Sequence, residues 1–143
     1  MSRFYATLDP NFKGTTVTLS NGNLTATQNT NAEGWGAVYS NLSKTSGKWY
    51  WELTFTTSGP IQFPDWQVGI AKSGLTLSSP PGSQAVGYIE RTLNIAQNNS
   101  SDHSYGSSQP TQGDTIGILM DLDSGTIAIT DASGTSNPLK LLS

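Results

Sequence analysis

The sequence has no cysteine and few charged residues. The lack of cysteine excludes disulfide bonds, thiolate metal sites and a cysteine nucleophile. Charged residues make up only 12% of the chain, and its seven Lys and Arg residues form no cluster that could bind a phosphate backbone. We therefore expect no nucleic-acid partner.

Long apolar segments are also missing. Uninterrupted apolar runs are only a few residues long, so we expect no insertion into a membrane. The N-terminal segment Met1–Pro10 lacks the apolar region of a secretory signal. No segment has a sustained helical period or an internal repeat, which argues against a helical bundle and a coiled coil.

The composition that remains is typical of a β-protein. Hydrophobic residues make up 34% of the 143 residues and include four Trp, five Tyr and four Phe, enough for a core. Abundant Ser, Thr and Asn, together with 15 Gly, favour turns and strands over helices. The length is typical of one domain, so we expect a single domain over residues 1–143.

Short segments in which apolar residues alternate predict strands along the chain. The clearest spans Gly47–Phe55, and the others are 15–19, 23–27, 35–40, 66–71, 85–90, 115–122 and 126–130. Asn21-Gly22 and residues 123–125 predict hairpin turns, so the pattern favours antiparallel sheets in a sandwich or barrel. The expected inward side chains are Val17, Leu19, Leu24, Trp49, Trp51, Leu53, Phe55, Val68, Ile70, Ile116, Ile118, Met120, Ile127 and Ile129.

Several of these segments carry a family resemblance. Gly47–Glu52 resembles the strand that opens the core of SPRY domains, and Val68–Ala71 resembles the next central strand. Val86–Tyr88 and Gly113–Asp123 match two later signature segments in the same order. The resemblance covers about residues 8–130, and residues 9–24 are similar to phage-type SPRY proteins in particular.

The resemblance implies an all-β fold, a single antiparallel sandwich of the SPRY and concanavalin-like jelly-roll type. It implies a binding module that uses loops at one end of the sandwich, without catalytic activity or a cofactor. SPRY domains usually continue with further strands after the hairpin that ends near Thr130, whereas residues 131–143 look irregular here. We expect either a shortened fold or an edge that another chain supplies.

The phage-type resemblance predicts the function. It implies a virion protein, either a capsid decoration protein or a tail-fibre accessory subunit, assembled in the host cytoplasm and carried on the particle surface. The expected partners are other virion proteins, further copies of this chain, and a glycan or protein receptor on the host. The alternative is a protein- or peptide-binding SPRY adaptor module of a cellular protein. A carbohydrate-acting enzyme is disfavoured because no carboxylate pair has the required spacing.

Binding residues are expected in three loops, 57–65, 73–84 and 98–110, because loops on a rigid sandwich commonly carry recognition. Within or beside them, the candidates suited to contacts with a sugar or a protein are Phe63, Trp66, His103 and Tyr105. No metal is expected: there is one His, and Asp121–Gly125 lacks the later Glu of a calcium loop. The two Asp residues are expected to bond their own turn.

Two further positions leave alternatives open. Glu52 shares a strand face with Tyr50 and Lys48, and that face is either exposed or a subunit contact. A buried Glu52 carboxylate would need a partner, and Lys48 lies four residues along the same face. The edge strand that ends near Thr130 would expose unpaired backbone groups and promote aggregation unless another segment covers it. The tail leucines Leu139, Leu141 and Leu142 either fold back onto their own sandwich or contact a neighbouring subunit.

Overall fold

The structure, a computed structural model, describes residues 5–29, 36–56, 67–71, 74, 76–77, 85–90, 94–97, 100–104, 112–130 and 136–140. The regular secondary structure of these residues consists of strands. Among them, no helix is long and apolar enough to cross a membrane. The strands are β1 (Leu8–Lys13), β2 (Val17–Ser20), β3 (Thr25–Gln28), β4 (Val38–Ser40), β5 (Lys48–Thr54), β6 (Gln67–Ala71), β7 (Ala85–Glu90), β8 (Asn94–Gln97), β9 (Ser100–Ser104), β10 (Thr115–Asp121), β11 (Thr126–Thr130) and β12 (Ser136–Lys140).

The backbone divides into two compact units, Met1–Lys44 with Gly74–Pro80, and Thr45–Ser73 with Pro81–Ser143. The first unit contains the pairs β1–β4 and β2–β3. The second contains two four-stranded sheets, ordered β12-β11-β10-β5 and β6-β7-β8-β9. Strand pairs throughout the described residues are antiparallel, and the single-domain boundary 1–143 stays a prediction.

In the first unit, β2 and β3 form the predicted hairpin around Asn21-Gly22. Asn21, Gly22 and Asn23 all have positive φ, between 53° and 63°, a conformation that Gly and Asn adopt most readily. Ser20 pairs with Thr25, so the connection is longer than a two-residue turn. The longer connection leaves Leu24 62% exposed, and its predicted inward position is therefore wrong. Val17, by contrast, is buried as predicted.

In the second unit, alternation along β5, β10 and β11 builds the core. Ile118 lies opposite Trp51 on one side and Ile129 on the other. Four isoleucines are completely buried, and residues of β5 and β6 and the adjoining Phe55 pack against them: Ile116, Ile118, Ile127 and Ile129 with Trp51, Leu53, Phe55, Val68 and Ile70. Because Val68 and Ile70 belong to β6, the two sheets of this unit pack face to face as a sandwich.

Trp49 departs from the predicted core. Its register partner is Met120, on the inner face, yet 37% of the Trp49 side chain is exposed. Trp49 lies near the start of β5, the last strand of its sheet, and its indole N–H donates to the Ser46 carbonyl at 2.8 Å. The ring therefore lies beside the turn at Gly47 and does not enter the core.

Two segments predicted to be irregular contain strands. Ser100–Ser104 lies in a predicted loop but forms β9, which pairs with β8. The tail contains β12, which pairs with β11 from Thr126↔Lys140 to Thr130↔Ser136. Neither segment has an alternating apolar pattern. Both form strands at the edge of a sheet, where pairing with the neighbouring backbone is sufficient without such a pattern. Pro138 is compatible with such an edge position. The chain thus covers the β11 edge itself, which agrees with the fold-back alternative for residues 136–140.

Candidate functional site

Most of the binding and partner-contact residues predicted from the sequence lie outside the described residues. This applies to Phe63, Trp66, Tyr105, Leu141 and Leu142. His103 lies in β9, paired with Ile95, so its placement in a loop is wrong. Leu139 lies in β12, paired with Ile127. Their roles as binding or partner-contact residues stay predictions.

The described residues place a different group of side chains on the outer face of the sheet β12-β11-β10-β5. Tyr50, Glu52 and Thr54 alternate with the inward residues of β5, and all three are exposed. Tyr50 is 59% exposed, and its register partner Leu119 is 46% exposed. The register continues from Leu119 to Ala128 and then to Pro138 of β12. Apolar residue types therefore occupy matching positions on the outer face of β5, β10 and β11.

A hydrogen bond fixes the tip of the Tyr50 ring. The Tyr50 hydroxyl donates to Glu52 Oε1 at 2.8 Å. This hydrogen bond raises the pKa of the Tyr50 hydroxyl above its ordinary value, with smaller contributions from burial and from the Glu52 charge. The phenol therefore stays protonated at neutral pH and continues to act as the donor.

Gly117 provides the space in which the Tyr50 ring lies. A Cβ at this position would lie 2.6 Å from the Tyr50 hydroxyl oxygen and 2.9 Å from Thr130 Oγ1. Thr130 Oγ1 accepts the Gly117 N–H at 2.7 Å, so it too lies against the bare backbone. Glycine inside a strand often marks such a close approach. One side of the Tyr50 ring thus lies over β10, and the other side faces solvent.

The nearby ionic pair joins two adjacent strands and leaves the exposed Glu52 out. Lys48 Nζ lies 3.1 Å from Asp121 Oδ2, its cross-strand neighbour, and does not pair with Glu52. Directly opposed side chains on adjacent strands are closer than side chains four residues apart along one strand. Glu52 has no cationic partner among the described side chains.

The Asp121–Gly125 segment is a turn that Asp121 stabilises as predicted, whereas the Asp123 carboxylate bonds to a residue outside the turn. Asp121 Oδ1 accepts the N–H groups of Asp123 and Ser124, each at 3.1 Å. The Ser124 N–H and then Lys48 lower the Asp121 pKa to about 2. Asp123 Oδ1 accepts the Gly47 N–H at 2.9 Å, which fastens the turn to the residue before β5. Both aspartates therefore serve the local structure.

The outer-face group suits binding better than reaction. A tyrosine with a raised pKa is a poor base and a poor nucleophile at neutral pH. Within the described residues, no group of three or more His, Asp or Glu side chains could hold a metal ion. An exposed ring beside a carboxylate can instead hold a partner by stacking and hydrogen bonding.

Sequence reasoning identified the face but missed the arrangement on it. The alternation from Gly47 to Phe55 correctly puts Tyr50 and Glu52 together. The overlooked signal was Gly117, a glycine in the middle of a strand of large apolar residues. That the Tyr50 ring of β5 lies over Gly117 could be recognised only once the register between β5 and β10 was known.

Comparisons with known proteins agree with this architecture. The SPRY domain family model matches residues 48–139. Among solved structures, the crystal structure of the SPRY domain of human HERC1 matches with a TM-score of 0.72 at 18% identity, covering 94% of this chain and 80% of that chain. No curated protein matches the sequence. The structural match supports the all-β antiparallel sandwich, and because the family match spans more than half of the sequence, the chain belongs to the SPRY domain family.

Proposed function

We propose that this chain is a non-enzymatic binding subunit of a bacteriophage virion, either a capsid decoration protein or a tail or fibre accessory subunit. The observation that carries the binding part is the SPRY match over residues 48–139, since SPRY domains are generally non-catalytic modules that bind protein partners. The virion part is supported by the similarity of residues 9–24 to phage-type SPRY proteins.

The chemistry of the described residues is consistent with binding. The Asp121 carboxylate is occupied by turn N–H groups and Lys48, and Glu52 accepts a hydrogen bond from a protonated tyrosine. Hydrolysis of a glycosidic bond would require two carboxyl groups that flank a substrate. The arrangement therefore favours recognition over bond cleavage.

On this proposal the chain lies at the particle surface, where it contacts other virion proteins or further copies of itself. Recognition of a host protein or glycan is assigned to the loops 57–65 and 73–84 and to the segment 98–110, which contains the edge strand β9. Phe63, Trp66, His103 and Tyr105 lie within or beside these segments. A variant with alanine at all four positions should fold and lose attachment. Normal attachment by the folded variant would remove the loop assignment.

The virion proposal is tested on particles purified from the host that carries this sequence. Mass spectrometry and electron microscopy should find the chain in many symmetric copies on the particle. Its absence from every particle would overturn the virion part and leave the binding module of a cellular protein as the function. Affinity purification with the intact chain would then identify the cellular partner.

A further inference from the structure

From the outer face of the sheet β12-β11-β10-β5, we infer a second binding site, separate from the loops, at which Tyr50 and Glu52 hold an arginine side chain of a protein partner. The inference rests on the proposed function only in that the chain binds proteins. It does not depend on a virion location. Its physical basis is the fixed ring, the adjacent carboxylate and the apolar surface of Leu119.

The ring is held in position before any partner arrives. Its hydroxyl is hydrogen-bonded to Glu52 Oε1 at 2.8 Å, and the ring lies over Gly117, where no Cβ displaces it. A side chain that is already ordered loses little conformational entropy on binding. The outward side of the ring is therefore a preorganised stacking surface.

Charge complementarity identifies the partner's side chain. Among the described side chains, Lys48 is paired with Asp121, and Glu52 has no cation beside it. Glu52 Oε2 accepts no hydrogen bond from these residues, whereas Oε1 accepts one from Tyr50. A neutral partner that covered Glu52 would remove water from the carboxylate without supplying an opposite charge. A cationic partner supplies that charge.

The geometry favours arginine over lysine. A guanidinium group is planar, so it can stack on the Tyr50 ring while its N–H groups reach the Glu52 carboxylate. The methylene groups of arginine can lie along Leu119, which is directly opposite Tyr50 and 46% exposed. Nucleic acid is disfavoured because Glu52 repels phosphate. A second copy placed face to face would bring two Glu52 side chains together.

The test is an NMR titration of the intact chain with the peptide acetyl-Gly-Arg-Gly-amide. The matched control is the same peptide with citrulline, which keeps the shape and removes the charge. The arginine peptide should shift the Tyr50 ring signals with weak, salt-sensitive affinity, and the citrulline peptide should bind about tenfold more weakly or not at all. Equal shifts with both peptides, or none with either, would overturn the inference.

Three variants locate the effect. Glu52→Gln should weaken the arginine peptide about tenfold, because the charge is lost while the side-chain shape is kept. Gly117→Ala retains both binding groups but displaces the Tyr50 ring, and it should also weaken binding. Tyr5→Ala removes another exposed tyrosine, 68% exposed in the other unit, and should leave binding unchanged. Unchanged affinity in both Glu52→Gln and Gly117→Ala would contradict the proposed site.

Other occupants give distinct results in the same experiment. A neutral hexasaccharide that shifts Tyr50 when the arginine peptide does not would replace the inference with a glycan site. Shifts of Tyr50 on dilution of the chain alone would indicate a contact between copies and would also overturn it. Because the titration uses the purified chain, a negative result here leaves the particle experiment on the proposed function unaffected.

Discussion

The two faces of the sheet β12-β11-β10-β5 arise from the same strands but differ in how they are covered. On β10, Ile118 is completely buried, whereas the next residue, Leu119, is 46% exposed. On β5, Trp51 packs against the isoleucine core, whereas the preceding Tyr50 is 59% exposed. Both faces carry large apolar side chains, so residue type alone does not distinguish core from surface.

The difference between the faces has a physical consequence. The inner face is closely packed on all sides, so a change of volume or polarity there affects the stability of the fold. Side chains on the outer face are constrained by a few specific contacts, such as the bond from Tyr50 to Glu52. Changes on the outer face should therefore alter binding more than folding.

The strongest prediction compares two adjacent residues of β10. Ile118→Asp should prevent folding, because an unpaired charge in the core costs several kcal/mol, a large part of the roughly 5–15 kcal/mol that stabilises a typical domain. Leu119→Asp is the matched control on the outer face and should fold. Circular dichroism with thermal melting measures both, and a cooperative melt of Ile118→Asp near that of the parent chain would contradict the assignment of the core.

A milder change in the core removes side-chain volume without introducing a charge. Ile127→Ala should lower the free energy of unfolding by about 2–5 kcal/mol, because it leaves a cavity beside Ile116, Ile118 and Ile129. Leu119→Ala should change it by about 0.5 kcal/mol. Urea denaturation compares the two variants. Equal losses would show that the outer face is covered as tightly as the inner one.

The third prediction concerns the edge of the sheet. Deletion of residues 138–143 removes the register partners of Thr126, Ile127 and Ala128 and uncovers the β11 edge. The melting temperature of the monomer should fall by several degrees. Deletion of residues 141–143 alone keeps β12 and serves as the control. An unchanged melting temperature combined with lost assembly would instead support contacts of the tail with a neighbouring subunit.

The smallest expected effect is dependent on pH. The Asp121 pKa of about 2 lies below the unfolded value of about 3.9, so its contribution to stability is present above about pH 4 and disappears as the pH falls towards 2. The parent chain should melt above Asp121→Asn at neutral pH, and this difference should shrink between pH 4 and 2. Because Ser124 is the larger cause, Lys48→Gln should reproduce only part of it. A constant difference across this range would contradict the role of Asp121.

The sequence predicted those elements that have an alternating apolar pattern. Ala85–Glu90 and Thr126–Thr130 have the predicted bounds, and the inward isoleucines of β10 and β11 form the predicted core. The pattern could not predict β9 or β12, since pairing with another strand defines those polar segments. The pairing of Lys48 with Asp121 and the contact of the Tyr50 ring with Gly117 both depend on the register between β5 and β10. That register cannot be determined from the sequence pattern of either strand alone.

Hydroxyl-radical footprinting of the purified chain is the most direct test of the different roles of the two faces of the sheet β12-β11-β10-β5. In this account the inner face stabilises the fold and the outer face binds a partner. Tyr50 and Leu119 should be oxidised in the chain alone, whereas Ile118 should be protected. Addition of the arginine peptide should lower the labelling of Tyr50 and leave Tyr5 unchanged. Protection of Tyr50 in the chain alone, or labelling of Tyr50 that the peptide does not reduce, would contradict the proposed role of the outer face.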